Sequence, residues 1–198
     1  MCMLTIPNAR VLVIGGAGFI GSHMVKYLGS MGCRVTTLDD LSSGHRDAVL
    51  CGNFFEGDFG HRPTLDQVFA EGFDAVMHFA SLIDVEDSVK RPEKYHQTNV
   101  EKTMTLLRCM VEHGLKKLIF SSTAATFGAP VYLPIDEVHP QEPVNPYVQS
   151  KLAVEIALKM FDEQFGLKSI CLRYFNAAGA DPEGELGERH NPETHLIP

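Results

Sequence analysis

Short apolar runs alternate with stretches of helical spacing along most of the chain. The first run, 10–14, is followed after a glycine-rich turn by Ile20, Met24, Tyr27 and Leu28, which recur every three to four residues. Apolar runs of this length are typical of buried strands, and the three-to-four spacing is typical of one face of a helix. The pattern predicts six strands, at 10–14, 34–38, 53–56, 73–78, 117–120 and 168–173.

Proline and glycine bound the longer helices predicted between these strands. One helix begins at Pro92 and ends near Gly114, and another begins near Pro146 and ends at Gly166, because proline favours the first turn of a helix and glycine follows the last. A shorter helix is expected over 62–70. The alternation of strands and helices predicts an α/β fold with a doubly wound parallel sheet and helices on both faces.

Composition and charge exclude several classes of protein. The chain has 17 basic and 25 acidic residues, a net charge of −8, and no Lys/Arg cluster, which excludes nucleic-acid binding. No apolar run approaches the roughly 20 residues that cross a bilayer, and no signal-peptide pattern is present, so we expect a cytoplasmic protein without a membrane partner. The five cysteines are scattered, and His190 and His195 lack metal-binding spacing. We expect thiols and no metal site.

Three glycines follow the first predicted strand. Gly15, Gly18 and Gly21 are spaced as in a dinucleotide-binding turn, where they permit a tight turn, a close approach of pyrophosphate to helix N–H groups, and close helix packing, respectively. The second strand ends at Asp39, about twenty residues later, where this fold places the acid that binds ribose hydroxyls. Asp40 adds a carboxylate that would repel a 2′-phosphate. The pattern predicts NAD in preference to NADP.

Small residues follow a further strand, at the edge where a doubly wound sheet holds its ligand. Phe79, Ala80 and Ser81 come directly after the strand 73–78, and we expect Phe79 and Ala80 to face the dinucleotide. His78 ends that strand. We interpret it as a hydrogen-bonded part of the scaffold.

Tyr147 and Lys151 carry the candidate chemistry. They lie four residues apart on one face of a predicted helix, about two dozen residues after the serine-rich strand end 121–123. Tyr-x-x-x-Lys occurs in many helices by chance, but not usually behind such a strand end in a chain with a dinucleotide-binding turn. A phenol with a pKa of about 10 is a weak base at neutral pH, whereas an ammonium group and a nicotinamide cation both favour the phenolate. We therefore predict that Tyr147 acts near pH 7.

Several segments of the chain match a known family. They are Gly15 to His23, His78 to Ala80, Ser121 to Ala125, Tyr147 with Lys151, Arg173 to Gly179, Gly187 with Glu188, and 191–198. On these segments the chain resembles the extended short-chain dehydrogenase/reductases of the NAD-dependent epimerase/dehydratase family, and within them the enzymes that invert C4 of UDP-sugars. The resemblance covers essentially the whole chain, and 173–198 is the part most particular to these epimerases.

The resemblance implies an isomerase that interconverts UDP-glucose and UDP-galactose without net oxidation. Tyr147 would take the 4-hydroxyl proton while hydride passes from C4 to NAD. The 4-keto sugar would then turn over in the pocket and take hydride back on its other face. Thr123 would hydrogen-bond to the reacting oxygen, and Lys151 would tune Tyr147 and hold the nicotinamide ribose.

The resemblance also implies binding residues and a homodimer. Phe175 would lie near the nicotinamide and Asn176 near UDP, while Asp58 and Phe59 would flank the adenine. Asn99 would support the site from its helix. The dimer would form through the helices that begin near Pro92 and Pro146. The implied NAD-binding residues are Gly15, Gly18, Phe19, Ile20, Gly21, Asp39, Asp40, Ser43, Gly44, Asp58, Phe59, Phe79, Ala80, Ser81, Asn99, Ser121, Tyr147, Lys151 and Phe175. The implied UDP-sugar contacts are Thr123, Tyr147, Asn176, His195 and Leu196.

Domain organisation and two alternatives follow from the same resemblance. Residues 1–176 would form the NAD-binding Rossmann domain, and 177–198 would begin a substrate-binding region that continues in the family beyond position 198. Dehydration is disfavoured, because the acid-base pair that dehydratases carry after the threonine is replaced by Ala124 and Ala125, whose methyl groups transfer no protons. The alternatives left open are a truncated, non-catalytic NAD-binding module and an epimerase of another UDP-sugar, such as an N-acetylhexosamine or a glucuronate.

Overall fold

The computed structural model describes residues 7–190, which form a parallel six-stranded sheet covered by helices on both faces. The order of the strands is β3-β2-β1-β4-β5-β6, and each neighbouring pair is parallel. The chain therefore returns from one edge of the sheet to its centre between β3 and β4, which is the doubly wound topology. The strands are β1 Arg10–Ile14, β2 Arg34–Asp39, β3 Asn53–Glu56, β4 Ala75–His78, β5 Lys117–Thr123 and β6 Lys168–Tyr174.

Between residues 7 and 190, six α-helices and three shorter helical turns connect the strands. The α-helices are α1 Phe19–Ser30, α2 Arg62–Phe69, α3 Val85–Lys90, α4 Pro92–Tyr95, α5 Lys102–Glu112 and α6 Pro146–Phe165. A π-helical turn, His96–Glu101, joins α4 to α5, and 3-10 turns span Arg46–Ala48 and Ala124–Phe127. None of the helices between residues 7 and 190 combines the length and apolar character needed to cross a bilayer.

The boundaries of α6 have simple local causes. Asn145 precedes the helix, and its side-chain oxygen accepts a hydrogen bond of 3.0 Å from the N–H of Val148. Pro146 occupies the first helical position, where its missing N–H costs no hydrogen bond. Gly166 ends the helix with a φ of 67°, a conformation that favours glycine. The helix predicted from Pro146 to Gly166 is confirmed.

Alternating residues of the strands pack against helices on opposite faces of the sheet. On one face, Leu12 and Ile14 of β1 and Phe120 of β5 pack against α2, α5 and α6. On the other face, Val11 and Val13 of β1 pack against α1. The predicted α/β fold, with a parallel sheet buried on both faces, is confirmed.

Three predicted details differ from the structure. The helix predicted from Pro92 to Gly114 is interrupted by the π-helical turn, and the strand predicted at 73–78 begins at Ala75. In α1 the buried residues are Gly21, Ser22 and Val25, whereas Tyr27, predicted to be on the core face, is 59% exposed. The core face of α1 is therefore the side that carries Gly21, Ser22 and Val25. Tyr27 lies on a different side of the helix, toward solvent.

The helix α3 lies in an acidic stretch for which the sequence pattern predicted no helix. Asp84 caps it by accepting a hydrogen bond of 2.8 Å from the N–H of Asp87, and Glu86 forms an ion pair of 2.5 Å with Lys90 one turn later. These local contacts stabilise a helix of only six residues. An apolar periodicity was therefore not needed to form it.

Candidate functional site

The glycine-rich turn follows β1 at the centre of the sheet. Gly15 has a φ of +78°, and a Cβ atom there would lie 2.4 Å from the N atom of Ala80. A Cβ atom at Gly21 would lie 2.1 Å from the carbonyl oxygen of Gly15. Both positions therefore require glycine, and the tight turn and close packing predicted for them are present.

Gly18 differs from the other two glycines because the space beside it is open. The nearest atom to a Cβ atom placed there is the carbonyl oxygen of Gly15, at 3.5 Å. Gly18 is also the N-cap of the 12-residue helix α1 and offers no side chain to the first N–H groups of that helix. The N–H groups at the start of α1 and the space beside Gly18 can accommodate a pyrophosphate group. A dinucleotide-binding turn needs such a space.

Asp39 joins the end of β2 to this turn. Its carboxylate accepts hydrogen bonds of 2.9 Å from the N–H groups of Ala17 and Leu41. Burial raises the pKa of Asp39, and the two N–H groups partly offset this effect. Asp40 instead accepts hydrogen bonds from the N–H and hydroxyl of Ser42, at 3.0 and 2.6 Å. Asp39 is therefore the carboxylate placed beside the glycines, while Asp40 stabilises its own loop.

Other predicted cofactor-binding residues lie near this turn. A Cβ atom at Gly44 would come within 2.8 Å of Ala17, so this glycine allows its loop to pack closely on the turn. Phe19 and Ile20 begin α1, and Ser43 is exposed in the loop after β2.

The loops after β3 and β4 contribute the next group of predicted residues. The N–H groups of Phe79 and Ala80 both donate to the carbonyl of Ile14, which holds the 79–81 loop against the glycine turn. Asp58 forms an ion pair of 2.6 Å with Lys102 that lowers the pKa of Asp58 despite burial. Phe59 is buried at 7% exposure, and its ring centroid lies 4.8 Å from that of His78. The phenyl ring of Phe59 is thus packed in the core.

His78 belongs to the scaffold, as predicted. Its Nε2 atom lies 3.1 Å from the hydroxyl of Thr103, and its ring is packed between Phe59 and Phe120. Burial lowers the pKa of His78 to about 3, so the imidazole is neutral at physiological pH.

Asn99 lies on the π-helical turn, and its side chain makes three hydrogen bonds. The amide oxygen accepts from the N–H of Leu82 at 2.9 Å, and the amide nitrogen donates to the carbonyl of Leu82 and to the hydroxyl of Ser150, both at 3.0 Å. These bonds connect α6 to the loop after β4. Asn99 thus has the supporting position expected of it, and the extra residue of the π-helical turn explains how it reaches inward.

Lys151 is buried behind the end of β5. The side chain is 3% exposed, and its ammonium group donates a hydrogen bond of 2.9 Å to the carbonyl of Ser121. The Nζ atom lies 5.9 Å from the centroid of the Tyr147 ring, so the two side chains share one side of α6 as their spacing predicts. Burial lowers the pKa of Lys151 to about 7.

Tyr147 lies beside Thr123, which is at the end of β5. Burial raises the pKa of Tyr147, and the neighbouring Thr123 side chain opposes this shift without cancelling it. The sequence-based expectation of a phenolate rested on two cations, the Lys151 ammonium and a nicotinamide. In the structure the largest effect on Tyr147 is burial, which favours the neutral phenol.

A buried ion pair next to these residues was missed from the sequence. Glu155 follows Lys151 by four residues on α6 and is 3% exposed. Its carboxylate lies 2.7 Å from the NH2 group of Arg173 on β6, and it also accepts hydrogen bonds from Ser122 at 2.5 Å and Gln141 at 3.1 Å. Burial alone would raise the pKa of Glu155, but these partners outweigh it and lower the pKa. The sequence did contain a signal for this ion pair, because Glu155 is a charged residue that follows Tyr147 and Lys151 at the same four-residue spacing.

The residues predicted to contact the far end of the ligand are not gathered at the site. Phe175 is 75% exposed and Asn176 is exposed, both just past the end of β6. His195 and Leu196 lie outside the described residues. The structure therefore brings together Thr123, Tyr147 and Lys151 but leaves the other four positions as predictions.

The segment after β6 turns back to the glycine-rich turn. Lys26 of α1 forms ion pairs with Asp181 at 2.8 Å, Glu183 at 2.5 Å and Glu185 at 2.8 Å. Residues 187–190 and Gly18 both line a narrow cleft of about 20 Å³. The segment is irregular over its described part.

Comparison with known proteins gives a consistent result. The model of the family described as "NAD dependent epimerase/dehydratase family" matches residues 11–198. The chain is 50% identical over 189 residues to a UDP-glucose 4-epimerase of Halalkalibacterium halodurans, covering 95% of this chain and 57% of that protein. It is 49% identical over 194 residues to a UDP-glucose 4-epimerase of Rhizobium leguminosarum bv. trifolii, covering 98% of this chain and 59% of that protein.

Solved structures resemble the fold over nearly the same region. The crystal structure of UDP-glucose 4-epimerase from Brucella ovis in complex with NAD has a TM-score of 0.93 and 46% identity, covering 95% of this chain and 58% of that chain. The enzyme from Bifidobacterium longum in complex with NAD⁺ and UDP has a TM-score of 0.85 and 36% identity, covering 90% and 57%, respectively. The chain thus spans somewhat more than half the length of the relatives that it matches.

Proposed function

Because this chain belongs to the NAD dependent epimerase/dehydratase family, we propose that it carries the NAD site and the acid-base residues of a UDP-hexose 4-epimerase. The reaction is the interconversion of UDP-glucose and UDP-galactose through a transient 4-keto sugar. The observation that carries the proposal is the placement of Tyr147 beside Thr123, with the buried Lys151 on the same side of α6. These three side chains lie at the carboxyl edge of the sheet, where a doubly wound fold binds its ligand.

NAD fits the glycine-rich turn. The pyrophosphate would lie in the open space beside Gly18, against the N–H groups that begin α1. Asp39 would accept hydrogen bonds from the adenosine ribose, because its carboxylate is already held against the turn by the N–H of Ala17. The other proposed NAD-binding residues are Gly15, Phe19, Ile20, Gly21, Asp40, Ser43, Gly44, Asp58, Phe59, Phe79, Ala80, Ser81, Asn99, Ser121, Tyr147, Lys151 and Phe175.

The acid-base chemistry belongs to Tyr147. Bound NAD would supply the acceptor for the hydride that leaves C4. The phenolic oxygen of Tyr147 would take the proton of the 4-hydroxyl group and return it when the hydride is returned, so no net oxidation occurs. Thr123 would hydrogen-bond to the same sugar oxygen, and Lys151 would hold the ribose next to the nicotinamide and favour the phenolate.

We propose that the chain contains one domain and the start of a second region. Residues 1–176 form the NAD-binding domain, and 177–198 begin the region that binds the nucleotide-sugar. Residues 187–190 line the same cleft as Gly18, which supports this division because it brings that region next to the dinucleotide turn. Asn176, His195 and Leu196 are the proposed UDP-sugar contacts, together with Thr123 and Tyr147.

The experiment that tests the function measures conversion of UDP-galactose into UDP-glucose by the purified protein. We expect conversion with bound NAD and none after Tyr147→Phe. Measurable NAD binding without any conversion of UDP-galactose contradicts the proposal and favours a non-catalytic NAD-binding module. The same assay with UDP-N-acetylglucosamine and UDP-glucuronate decides between the substrate alternatives. Faster turnover of either one than of UDP-galactose would make that sugar the preferred substrate.

We also propose that the protein forms a homodimer through α4 and α6. A groove of about 390 Å³ runs between these helices, bordered by Pro92, His96 and Ala153. Next to it, Ile156 and Met160 of α6 are 52% and 51% exposed, an apolar surface that a second copy would cover. Ile156→Glu is expected to convert a dimer to a monomer in analytical ultracentrifugation. Leu133→Glu, at a loop residue that is 79% exposed, is the control and should leave the dimer intact.

The proposed location is the cytoplasm. Cys51, Cys109 and Cys171 form no disulfide, as is usual for proteins of a reducing compartment. Fractionation of the source cells with an antibody against the protein tests this location, and recovery from a secreted fraction would contradict it.

A further inference from the structure

Three consecutive residues of β5 each lie against a different side chain of α6. The carbonyl of Ser121 accepts from Lys151 at 2.9 Å, the hydroxyl of Ser122 donates to Glu155 at 2.5 Å, and the side chain of Thr123 lies beside Tyr147. On α6, Tyr147, Lys151 and Glu155 are spaced by four residues, so they lie in one row along the helix. Two of the three residues in this row have a proposed chemical role, and Glu155 has none.

Glu155 on α6 connects β5, β6 and the loop before α6. Its carboxylate accepts two hydrogen bonds from Arg173 of β6, at 3.1 and 2.7 Å, one from Ser122 of β5, and one at 3.1 Å from Gln141 of the loop before α6. A carboxylate has about four acceptor positions, so this buried group is fully used. The guanidinium of Arg173 is further held over the ring of Phe127, 5.0 Å from its centroid. The negative charge of Glu155 is therefore compensated by Arg173, and four hydrogen bonds from three residues hold its carboxylate in place.

We propose that Glu155 is a positioning residue, which fixes the end of β5 through Ser122 and thereby sets the position of Thr123 relative to Tyr147. The inference rests on the proposed function, in which Thr123 and Tyr147 contact the reacting oxygen. Glu155 itself touches neither substrate nor cofactor. Its effect passes through one hydrogen bond to the residue that precedes Thr123 and through the ion pair that holds β6 beside β5.

Two variants separate the geometric role of Glu155 from its charge. Glu155→Asp keeps the negative charge but withdraws the carboxylate by one methylene group, so it can no longer span Ser122 and Arg173. Ser122→Ala removes only the bond to β5 and leaves the ion pair with Arg173 in place, which protects the fold. Glu163→Asp is the matched control, because Glu163 is exposed on the same helix.

In the UDP-galactose assay, we expect kcat to fall about 10- to 100-fold for Glu155→Asp, since small displacements of reacting groups have effects of this size. Ser122→Ala should lower kcat several-fold, and the double variant should be no slower than Glu155→Asp alone, because both changes break the same contact. KM and the Kd for NAD should change less than about threefold. The inference is overturned if the kcat of Glu155→Asp stays within twofold of the kcat of Glu163→Asp. It is also overturned if the double variant loses the product of the two single losses in kcat.

A second readout needs no substrate and therefore separates failure of the inference from failure of the proposed function. The ionisation of Tyr147 is followed by ¹³C NMR of labelled tyrosine, assigned with Tyr147→Phe. Ser122→Ala leaves Lys151 and the ion pair of Glu155 with Arg173 unchanged. By the inference it displaces Thr123 from Tyr147, and since Thr123 lowers the pKa of Tyr147, that pKa should rise. An unchanged pKa of Tyr147 in Ser122→Ala contradicts the inference. A raised pKa in a protein that converts no UDP-galactose sustains the inference and refutes the epimerase function.

Discussion

The ammonium group of Lys151 donates a hydrogen bond to the main-chain carbonyl of Ser121, 2.9 Å away, and the side chain that carries it is 3% exposed. Within the described part of the chain Lys151 forms no ion pair with a carboxylate. The protein therefore buries a cation against a neutral carbonyl, and its pKa falls to about 7. This arrangement costs stability in the free protein and places a titratable cation next to Tyr147.

Lys151→Met should stabilise the folded chain at neutral pH while it weakens NAD binding. The pKa of Lys151 is about 7 when folded and 10.5 when unfolded, so the unfolded chain binds more protons between these values. The stability of the wild type therefore rises with pH from 7 to 10.5, by at most about 1.4 kcal/mol per pH unit from this group. Urea unfolding at pH 7 and pH 10 measures the effect, and the advantage of Lys151→Met should be larger at pH 7. Lys159→Met, exposed on the same helix, should show no such dependence.

Tyr147→Phe should abolish epimerisation, with a loss of about 10³-fold or more, because general acid-base catalysis contributes factors of this order. The Kd for NAD should change by less than about threefold, since the aromatic ring remains in place and only its hydroxyl is lost. Isothermal titration calorimetry with NAD and the UDP-galactose assay provide the two values. Tyr132→Phe removes a hydroxyl that donates to Asp136 on an exposed loop, and it should leave both values unchanged. Retained turnover in Tyr147→Phe would refute the role of this residue.

The pH dependence of Tyr147 should itself report cofactor binding. Burial holds the pKa of Tyr147 above its ordinary value in the free protein, whereas a nicotinamide cation placed beside the ring favours the phenolate and lowers the pKa. Ultraviolet titration of the wild type minus Tyr147→Phe, with and without NAD, should show the phenol ionising at lower pH when NAD is present. A titration that NAD does not move would show that the nicotinamide lies elsewhere.

Gly18→Ala and Gly21→Ala should fail in different ways. A methyl group at Gly21 would lie 2.1 Å from the carbonyl oxygen of Gly15, so this variant should lose about 3 kcal/mol of stability or unfold. A methyl group at Gly18 meets nothing closer than 3.5 Å, so this variant should keep its thermal unfolding midpoint but bind NAD at least about tenfold more weakly. Thermal unfolding and NAD titration together distinguish the two. Equal NAD affinity in Gly18→Ala would mean that no pyrophosphate lies beside this glycine.

Asp39→Asn should reduce the preference for NAD over NADP. The amide oxygen of asparagine can still accept one of the two N–H bonds from Ala17 and Leu41, so the turn should remain folded. Loss of the charge weakens the ribose contact and removes the repulsion of a 2′-phosphate. The ratio of the two Kd values, measured by calorimetry, should shift toward NADP by about tenfold or more. Asp40→Asn serves as the comparison and should shift the ratio less, because that carboxylate is turned toward Ser42.

The sequence alone predicted most of the sheet and the pair of side chains on α6. Strand runs, helix periodicity and the proline and glycine boundaries are local features, so the order of elements and the doubly wound fold follow from them. The shared face of Tyr147 and Lys151 follows from helical geometry, and the three glycines follow from their spacing. The short helix α3 and the π-helical turn were missed, because capping bonds and a shift in hydrogen-bond register leave little trace in apolar periodicity.

Tertiary structure decided the electrostatics of the site. A pKa depends on burial and on partners that come from distant segments, so the neutral bias of Tyr147 and the low pKa of Lys151 appear only when β5 covers α6. The same holds for Glu155 on α6, whose partner Arg173 lies eighteen positions later in the chain, on β6. Local spacing determined which side chains face the site, and long-range packing determined their charge states and how rigidly they are held.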